Sequence, residues 1–285
     1  MIQDIQPLLY NNAYVPRKPI EEDLVYVFKD DTVLLFGVED MLLVPTVEMI
    51  CKTFDITETE LTYLFCVDDD AMFLVKDLAK IEEQMSQATG FDFHTTRVFR
   101  TLEPQWIGFA GMTALHLNNW YAQNQFCGHC GDSMHESSLE RAMVCEKCGM
   151  IEYPKISPAI IVAITNGDKL LLTKYANRPF TRYALVAGFA EIGETIEETV
   201  KREVMEEVGI SIKNLKYYKS QPWGFSGSLL LGFYAELDGE AEISLDTNEL
   251  KEATWVLRDE IPEDSENEMS LTYTMMQAFK NRAEK

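Results

Sequence analysis

Positive charge is in short supply in this 285-residue chain: 25 lysines and arginines stand against 47 acidic residues, a formal net charge of −22, with only four histidines. Such a surface repels phosphate backbones and anionic lipids, which excludes broad nucleic-acid affinity and membrane-surface binding. Long apolar runs are missing too. None reaches the roughly 20 residues that cross a bilayer, and the start, MIQDIQPLLY, lacks the basic stretch and apolar core of a secretory leader. A cytoplasmic location is the expectation. There is no internal repeat and no low-complexity linker. Acidic runs such as Asp68, Asp69 and Asp70 read as a solubility surface. What is present is ordinary for a globular protein, 46% hydrophobic and 25% charged, at a length that suggests about two domains with a sizeable core.

Between residues 24 and 75, short β-branched runs (LVYVF, TVLLFG, MLLVP, TYLFCV, AMFLV) alternate with acidic turns, which predicts a small antiparallel sheet. From Glu103 to about Gln125 the pattern becomes helical. After Pro158, AIIVAI reads as a buried strand, NGD as a turn and KLLLTKY as the hairpin partner. Further strands are expected at LKYYKS, SLLLGFYAEL and ATWVL, and a helix from Ser270 to Arg282. The chain thus divides into an N-terminal α+β domain (1–122), a cysteine-bearing segment (123–152) and a C-terminal α/β domain (153–285).

Cysteine is scarce, six in all, but four are paired as CGHC (Cys127, Cys130) and CEKC (Cys145, Cys148), each followed by glycine. Two such pairs a short loop apart place four thiolates for tetrahedral zinc. The alternatives, a redox pair or two disulfides, are disfavoured in a reducing compartment. Four cysteines leave no open coordination position, so this zinc is expected to be structural. His129, inside the first knuckle, is read as a surface residue, and Cys51 and Cys66 as buried free thiols. The loop between the pairs carries one basic residue, Arg141, a weak basis for nucleic-acid reading.

The stretch GFAEIGETIEETVKREVMEEVGI at 188–210 concentrates carboxylates. Thr195 with Glu198 forms a capping box and Gly209 a C′ stop, so a helix lies between. On it Glu203, Glu206 and Glu207 stand at i, i+3 and i+4, beside an apolar row of Ile196, Val200, Val204 and Val208. An acidic cluster bordering a buried face costs stability unless neutralised, and Mg²⁺ or Mn²⁺ prefers such oxygens. A solvated acidic face suits Glu197 and Glu198 better than Glu203 and Glu207.

Gly188, Glu194, Arg202, Glu203, Glu206, Glu207 and Gly209, at this spacing, resemble a complete Nudix box. YPKISP after the cysteines and SQPWGFSGS at 220–228 make the chain similar to the NADH pyrophosphatase group of Nudix hydrolases, some of which remove NAD caps from RNA. The likeness covers 127–257. It implies an α/β/α Nudix sandwich with a mixed sheet, preceded by the zinc ribbon. It also implies metal-dependent hydrolysis of NADH or NAD⁺ to nicotinamide mononucleotide and AMP, with NAD-capped RNA as a further substrate, in a homodimer. Glu203 and Glu207, with Glu206 or Glu249 and the Ala187 carbonyl, would hold the divalent ions, and Glu207 is the first candidate for base. Arg202 would orient the carboxylates, contact with phosphate being the alternative. Tyr153 and Phe189 would stack on the rings of the substrate. Gln221, Pro222, Trp223, Gly224, Phe225, Ser226, Gly227 and Ser228 would line the pocket with Glu140 and Thr272, although Trp223 equally suits the core. Arg97 and Arg100 are phosphate candidates. Gly224 and Ser226 stand where the group has prolines, and Thr272 where it has a small alanine. Those departures keep open another diphosphate, such as ADP-ribose or a dinucleoside polyphosphate.

Overall fold

In a computed structural model, residues 1–38, 41–176, 182–263 and 269–284 are described. The chain divides into two compact units, one of Ile2–Lys155 with Gly224–Ser226, the other of Met1, Ile156–Trp223 and Gly227–Lys285.

The first unit opens with strands β1 (Tyr10–Asn11), β2 (Leu24–Lys29), β3 (Thr32–Val38) and β4 (Met41–Leu43), then helix α1 (Val47–Phe54). Strands β5 (Leu61–Val67) and β6 (Asp70–Val75), helix α2 (Ala79–Gln84), strand β7 (Phe91–Thr95) and helix α3 (Gln105–Gln123) follow. The sheet order is β1-β5-β6-β2-β3-β4, with β7 paired to β3. The expected sheet is there, but it is not wholly antiparallel: β2 runs parallel to β6, Leu24 opposite Met72. Local alternation predicts strands but carries no record of their direction. Helix α1 went unread because its apolar residues Val47, Ile50 and Phe54 sit among strand-like runs; they bury against Val25, Leu34 and Phe73. Cys51 and Cys66 are only partly buried, which corrects the expectation of enclosed thiols; Cys66 Sγ lies 3.3 Å from the Tyr63 hydroxyl. Helix α3 packs on Phe99 through glycines: a Cβ on Gly108 would fall 2.2 Å from the Phe99 carbonyl oxygen, and one on Gly111 2.1 Å from its ring.

The same unit holds a three-stranded ribbon of β8 (His135–Glu136), β9 (Met143–Val144) and β10 (Ile151–Glu152), order β10-β9-β8. Two short turns carry its cysteines. In each, the glycine four residues after the first cysteine returns its N–H to that cysteine's carbonyl, Gly131 to Cys127 at 2.9 Å and Gly149 to Cys145 at 2.8 Å. Both glycines have φ near +75° (74° and 76°), a conformation costly for any residue with a Cβ.

The second unit contains β11 (Ser157–Asn166), β12 (Lys169–Tyr175), β13 (Val186–Phe189), helix α4 (Ile196–Val208), β14 (Ser211–Trp223), β15 (Ser228–Asp238), β16 (Leu250–Leu257) and helix α5 (Leu271–Lys280). The sheet order is β14-β15-β11-β12-β16, with β13 against the first half of β11. It is mixed: β11 is parallel to β15 and antiparallel to β12 and β13. The run AIIVAI is apolar on both sides because both sheet faces are covered. Ile160, Val162 and Ile164 pack with Val200, Val204 and Val208 of α4, while Ile161 and Ala163 pack with Leu271, Met275 and Phe279 of α5. Period-2 alternation inside one apolar run therefore builds an α/β/α sandwich, and the turn between β13 and α4 delivers the glutamate-rich helix.

Candidate active site and zinc ribbon

Helix α4 starts where its sequence says it should. Thr195 Oγ1 accepts from the Glu198 N–H at 3.2 Å, and the Glu198 carboxylate accepts from the Thr195 N–H at 2.8 Å. Gly209 closes the helix in the left-handed conformation at φ 67°. With Val200, Val204 and Val208 fully buried, the 3.6-residue period turns Glu203 and Glu207 inward, 9% and 2% exposed, and leaves Glu206 outside.

Arg202 organises this face. Its Nε and Nη2 donate to the two oxygens of Glu194 at 2.5 and 2.9 Å, Nη1 to Glu203 and Glu206 at 2.9 Å each, and Nη2 also to the Phe189 carbonyl at 2.9 Å. One guanidinium thus ties the loop after β13 to three carboxylates of the box, the bidentate geometry for which arginine is suited. Glu194 is fixed further by the Glu191 N–H at 3.0 Å and the Thr199 hydroxyl at 2.9 Å. Glu194 belongs to the box motif, but its part as the anchor of Arg202 was missed; eight residues of separation hide it until the turn folds back.

Glu203 lies directly on the backbone of β13. A Cβ built on Gly188 would fall 1.9 Å from its Cδ and 2.0 and 2.3 Å from its oxygens. That close approach is the physical reason for glycine at the first position of the box. Burial pushes the Glu203 carboxyl up from its ordinary range; Arg202 opposes this, and the Glu206 and Glu249 charges add to it. Glu249 is therefore close enough to act on Glu203, although it is itself exposed. In contrast, the Arg202 guanidinium, with the Glu191 N–H, holds Glu194 down at about 2.

Two buried carboxylates, one in a backbone cradle, with further acids beside them, offer the all-oxygen donor set that suits Mg²⁺ or Mn²⁺. Among the described residues, however, only the cysteine set brings three or more ligand atoms into one coordination shell. Arg202 holds Glu203 and Glu206 by ion pairs.

The remaining predicted positions fall into distinct settings. Phe189 is half exposed, and Ala187 precedes it on β13, one residue from Gly188. Tyr153, half exposed beyond the ribbon, donates its hydroxyl to Glu140 at 2.9 Å, so these two are brought together. On the 221–228 segment, Pro222 and Ser226 are exposed, Trp223, Phe225 and Gly227 half-buried, and Gly224 and Ser228 buried. The Arg100 guanidinium lies 5.4 Å from the Phe225 ring centre, and Arg97 is exposed. A Cβ on Gly224 would meet the Met112 carbonyl oxygen at 2.2 Å, so the glycine found there answers to packing. Thr272 is half-buried in the first turn of α5. Gln221 departs from the expectation of a pocket-lining side chain: it is fully buried, and its amide bonds the backbone at Met269 and Leu271.

The four cysteine sulfurs all lie within 4.8 Å of one another, with 3.5 Å separating Cys127 from Cys148 and Cys130 from Cys145. Tetrahedral zinc at about 2.3 Å from each sulfur places sulfurs about 3.8 Å apart, so the set fits one ion. Backbone N–H groups of Cys130 and His129 hold the Cys127 thiol down at about 6, while burial and the neighbouring sulfurs push the Cys148 thiol up to about 12. The His129 side chain is exposed.

Comparison with known proteins agrees with this architecture. Residues 155–275 match the family described as NUDIX domain, and residues 122–153 the NADH pyrophosphatase zinc ribbon domain. Proteins called NAD-capped RNA hydrolase NudC from Salmonella paratyphi C (strain RKS4594) and Salmonella choleraesuis (strain SC-B67) are each 47% identical over 148 residues, 52% of this chain and 57% of theirs. The match thus spans little more than half the length of these relatives. A crystal structure of a NUDIX hydrolase from Nitrosomonas europaea aligns at 21% identity over 54% of this chain and 91% of that one, with a TM-score of 0.45.

Proposed function

We propose that this protein hydrolyses the pyrophosphate bond of NADH or NAD⁺, a reading that starts from the match of residues 155–275 to the NUDIX domain and of residues 122–153 to the NADH pyrophosphatase zinc ribbon domain. The products are nicotinamide mononucleotide and AMP, and NAD-capped RNA 5′ ends are a further substrate, as the names of the NudC relatives suggest. The observation that carries the reading is the Glu203 carboxylate seated on Gly188 and tied by Arg202 to Glu194 and Glu206.

Glu203 and Glu207, with Glu206 or Glu249 and the Ala187 carbonyl, are the groups that would hold Mg²⁺ or Mn²⁺. When bound, such ions neutralise pyrophosphate charge and lower the pKa of water. Arg202 keeps Glu203 and Glu206 aimed, so the donor set is arranged before substrate arrives. Glu207, nearly enclosed beside Val204 and Val208, is the candidate to take the proton from the attacking water. Tyr153 and Phe189 each present a half-exposed ring on which a base or nicotinamide can stack. The zinc is structural, its four thiolates leaving no open position. A homodimer in the cytoplasm completes the reading; no helix among the described residues is long and apolar enough to cross a membrane.

A second reading, a Nudix hydrolase for ADP-ribose or a dinucleoside polyphosphate, draws on Ser226 and Thr272. NADH, ADP-ribose and an NAD-capped RNA, each incubated with the protein and Mn²⁺ or Mg²⁺, decide between them by chromatography. Reduced nicotinamide mononucleotide plus AMP, abolished in Glu207→Gln, is the expected result. Turnover of ADP-ribose alone refutes the NADH reading and leaves the Nudix chemistry standing.

A further inference from the structure

The last carbonyls of a helix have no partner within it, and those of α4 are met by a segment far along the chain. The Ser244 N–H donates to the Val208 carbonyl and the Asp246 N–H to the Glu207 carbonyl, each at 3.0 Å. Gly209 admits this segment: a Cβ there would lie 2.6 Å from the Ser244 Cβ. Ile243 and Leu245, with the fully buried Leu250, join the same apolar core as Val204 and Val208. At Asp246 the chain turns. Its carbonyl accepts from the Leu250 N–H at 2.9 Å and the Glu249 N–H at 3.3 Å, and its Oδ1 accepts from the Asn248 N–H and from the Asn248 side-chain amide at 2.9 Å each. An aspartate that bonds the N–H two residues on closes a turn of this kind from inside. Asp246 is therefore bonded on one side to the backbone of Glu207 and on the other to the N–H of Glu249, whose charge reaches Glu203. The Glu249 carbonyl is held in turn by the Ala176 N–H at 2.8 Å, just after β12.

We propose that Asp246 is a positioning residue for the divalent-metal site: it locks the 246–249 turn onto the C-terminal end of α4, so that Glu249 is presented to the same ions as Glu203 and Glu207. The inference rests on the metal-dependent hydrolase reading for the part of Glu249; the lock itself does not. Glu249 is exposed, and an exposed carboxylate gives up freedom when it binds an ion. Fixing its backbone beforehand reduces that cost. The bonds of the lock run to α4 itself, so Glu249 keeps its register with the box helix. Removing the Asp246 side chain releases both Asn248 bonds but leaves the backbone bonds to Glu207 and Leu250, and the loss falls on ion binding before it falls on the fold.

The test uses the full chain and follows Mn²⁺ binding by calorimetric titration in wild type, Asp246→Ala, Asp246→Asn, Glu249→Gln and the Asp246→Ala, Glu249→Gln double variant. Asp246→Ala should bind Mn²⁺ about tenfold more weakly, the low end of what the partners of metal ligands contribute. Its melting temperature should stay within a few degrees of wild type, and hydrogen exchange at the Asn248 amide should accelerate by about tenfold or more. Asp246→Asn keeps an oxygen for both Asn248 donors and should bind within about threefold of wild type. In the Glu249→Gln background, Asp246→Ala should cost less than about twofold further, because the carboxylate it positions is already gone. If the alanine variant fails to melt cooperatively, Asp246→Glu replaces it, keeping the charge and carrying the acceptor one methylene too far. Unchanged Mn²⁺ affinity in Asp246→Ala overturns the proposal. An asparagine variant as weak as the alanine one overturns it too, as do losses that add in the double variant. If wild type binds Mn²⁺ and cleaves neither NADH nor ADP-ribose, the proposed function falls while the titrations still decide the lock; a wild type that binds neither Mn²⁺ nor Mg²⁺ ends the metal-site reading and this proposal with it.

Discussion

Replacing Gly188 by alanine isolates the geometry of one carboxylate. Gly188 lies in a strand, and its φ is not in the left-handed range, so the backbone accepts alanine without strain. Glycine in a strand interior is itself less favourable than alanine by roughly 0.5–1 kcal/mol. The added methyl, however, would occupy the space of the Glu203 carboxyl, 1.9 Å from its Cδ, where ordinary contact begins near 3.4 Å. Glu203 must therefore retreat by about 1.5 Å, and its bond to Arg202 Nη1 goes with it. A misplacement near 1 Å at a reacting centre costs about a hundredfold. We expect Gly188→Ala to lose about 10²-fold in kcat/KM and to bind Mn²⁺ more weakly by calorimetric titration, while its melting temperature changes by only a few degrees. If kcat/KM stays within about threefold of wild type, Glu203 does not need this cradle, and the assignment of Glu203 to the metal is wrong.

Elemental analysis after dialysis against a weak chelator should find about one zinc per chain, and a strong chelator should unfold the ribbon; a folded, active, zinc-free protein would end that claim. Arg202→Lys retains charge but cannot span Glu194, Glu203, Glu206 and the Phe189 carbonyl, so kcat/KM should fall roughly 10- to 100-fold, and near-normal steady-state kinetics would show that the fan is dispensable. Because the folded Glu194 carboxyl titrates at about 2, below the roughly 4.3 of an unfolded glutamate, its ion pair contributes stability above about pH 4.3 that is lost as pH falls towards 2. The melting-temperature gap between wild type and Glu194→Gln should therefore narrow over that acid range; a gap independent of pH refutes the pairing. Gly224→Ala, forced onto the Met112 carbonyl, should lower stability by about 1–3 kcal/mol in denaturant unfolding, and a neutral result would mean that the Gly224 turn moves freely.

Local sequence carried the strongest signals here because the physics behind them is local. Thr195, Glu198 and Gly209 bound α4 through bonds made within four residues, and the cysteine pairs form turns whose glycines lie at fixed offsets from their sulfurs. The spacing of Val200, Val204 and Val208 put Glu203 and Glu207 beside the buried face, and AIIVAI was legible as a buried strand. Direction and distance were not legible. The parallel pairing of β2 with β6, and of β11 with β15, depends on connections that close far along the chain. Glu194 became an anchor only when the box loop folded back onto Arg202, and Gly188 a cradle only when α4 settled on β13. Gln221 reads like any pocket residue within SQPWGFSGS; its amide was committed elsewhere by a helix that begins fifty residues later. Which chemical groups the protein owns, and which helix and turns carry them, could be read along the chain, since those follow from periodicity and caps. Which of those groups touch, and which are spent on holding backbone in place, was decided by tertiary packing, because contacts between distant segments are chosen by the whole core at once.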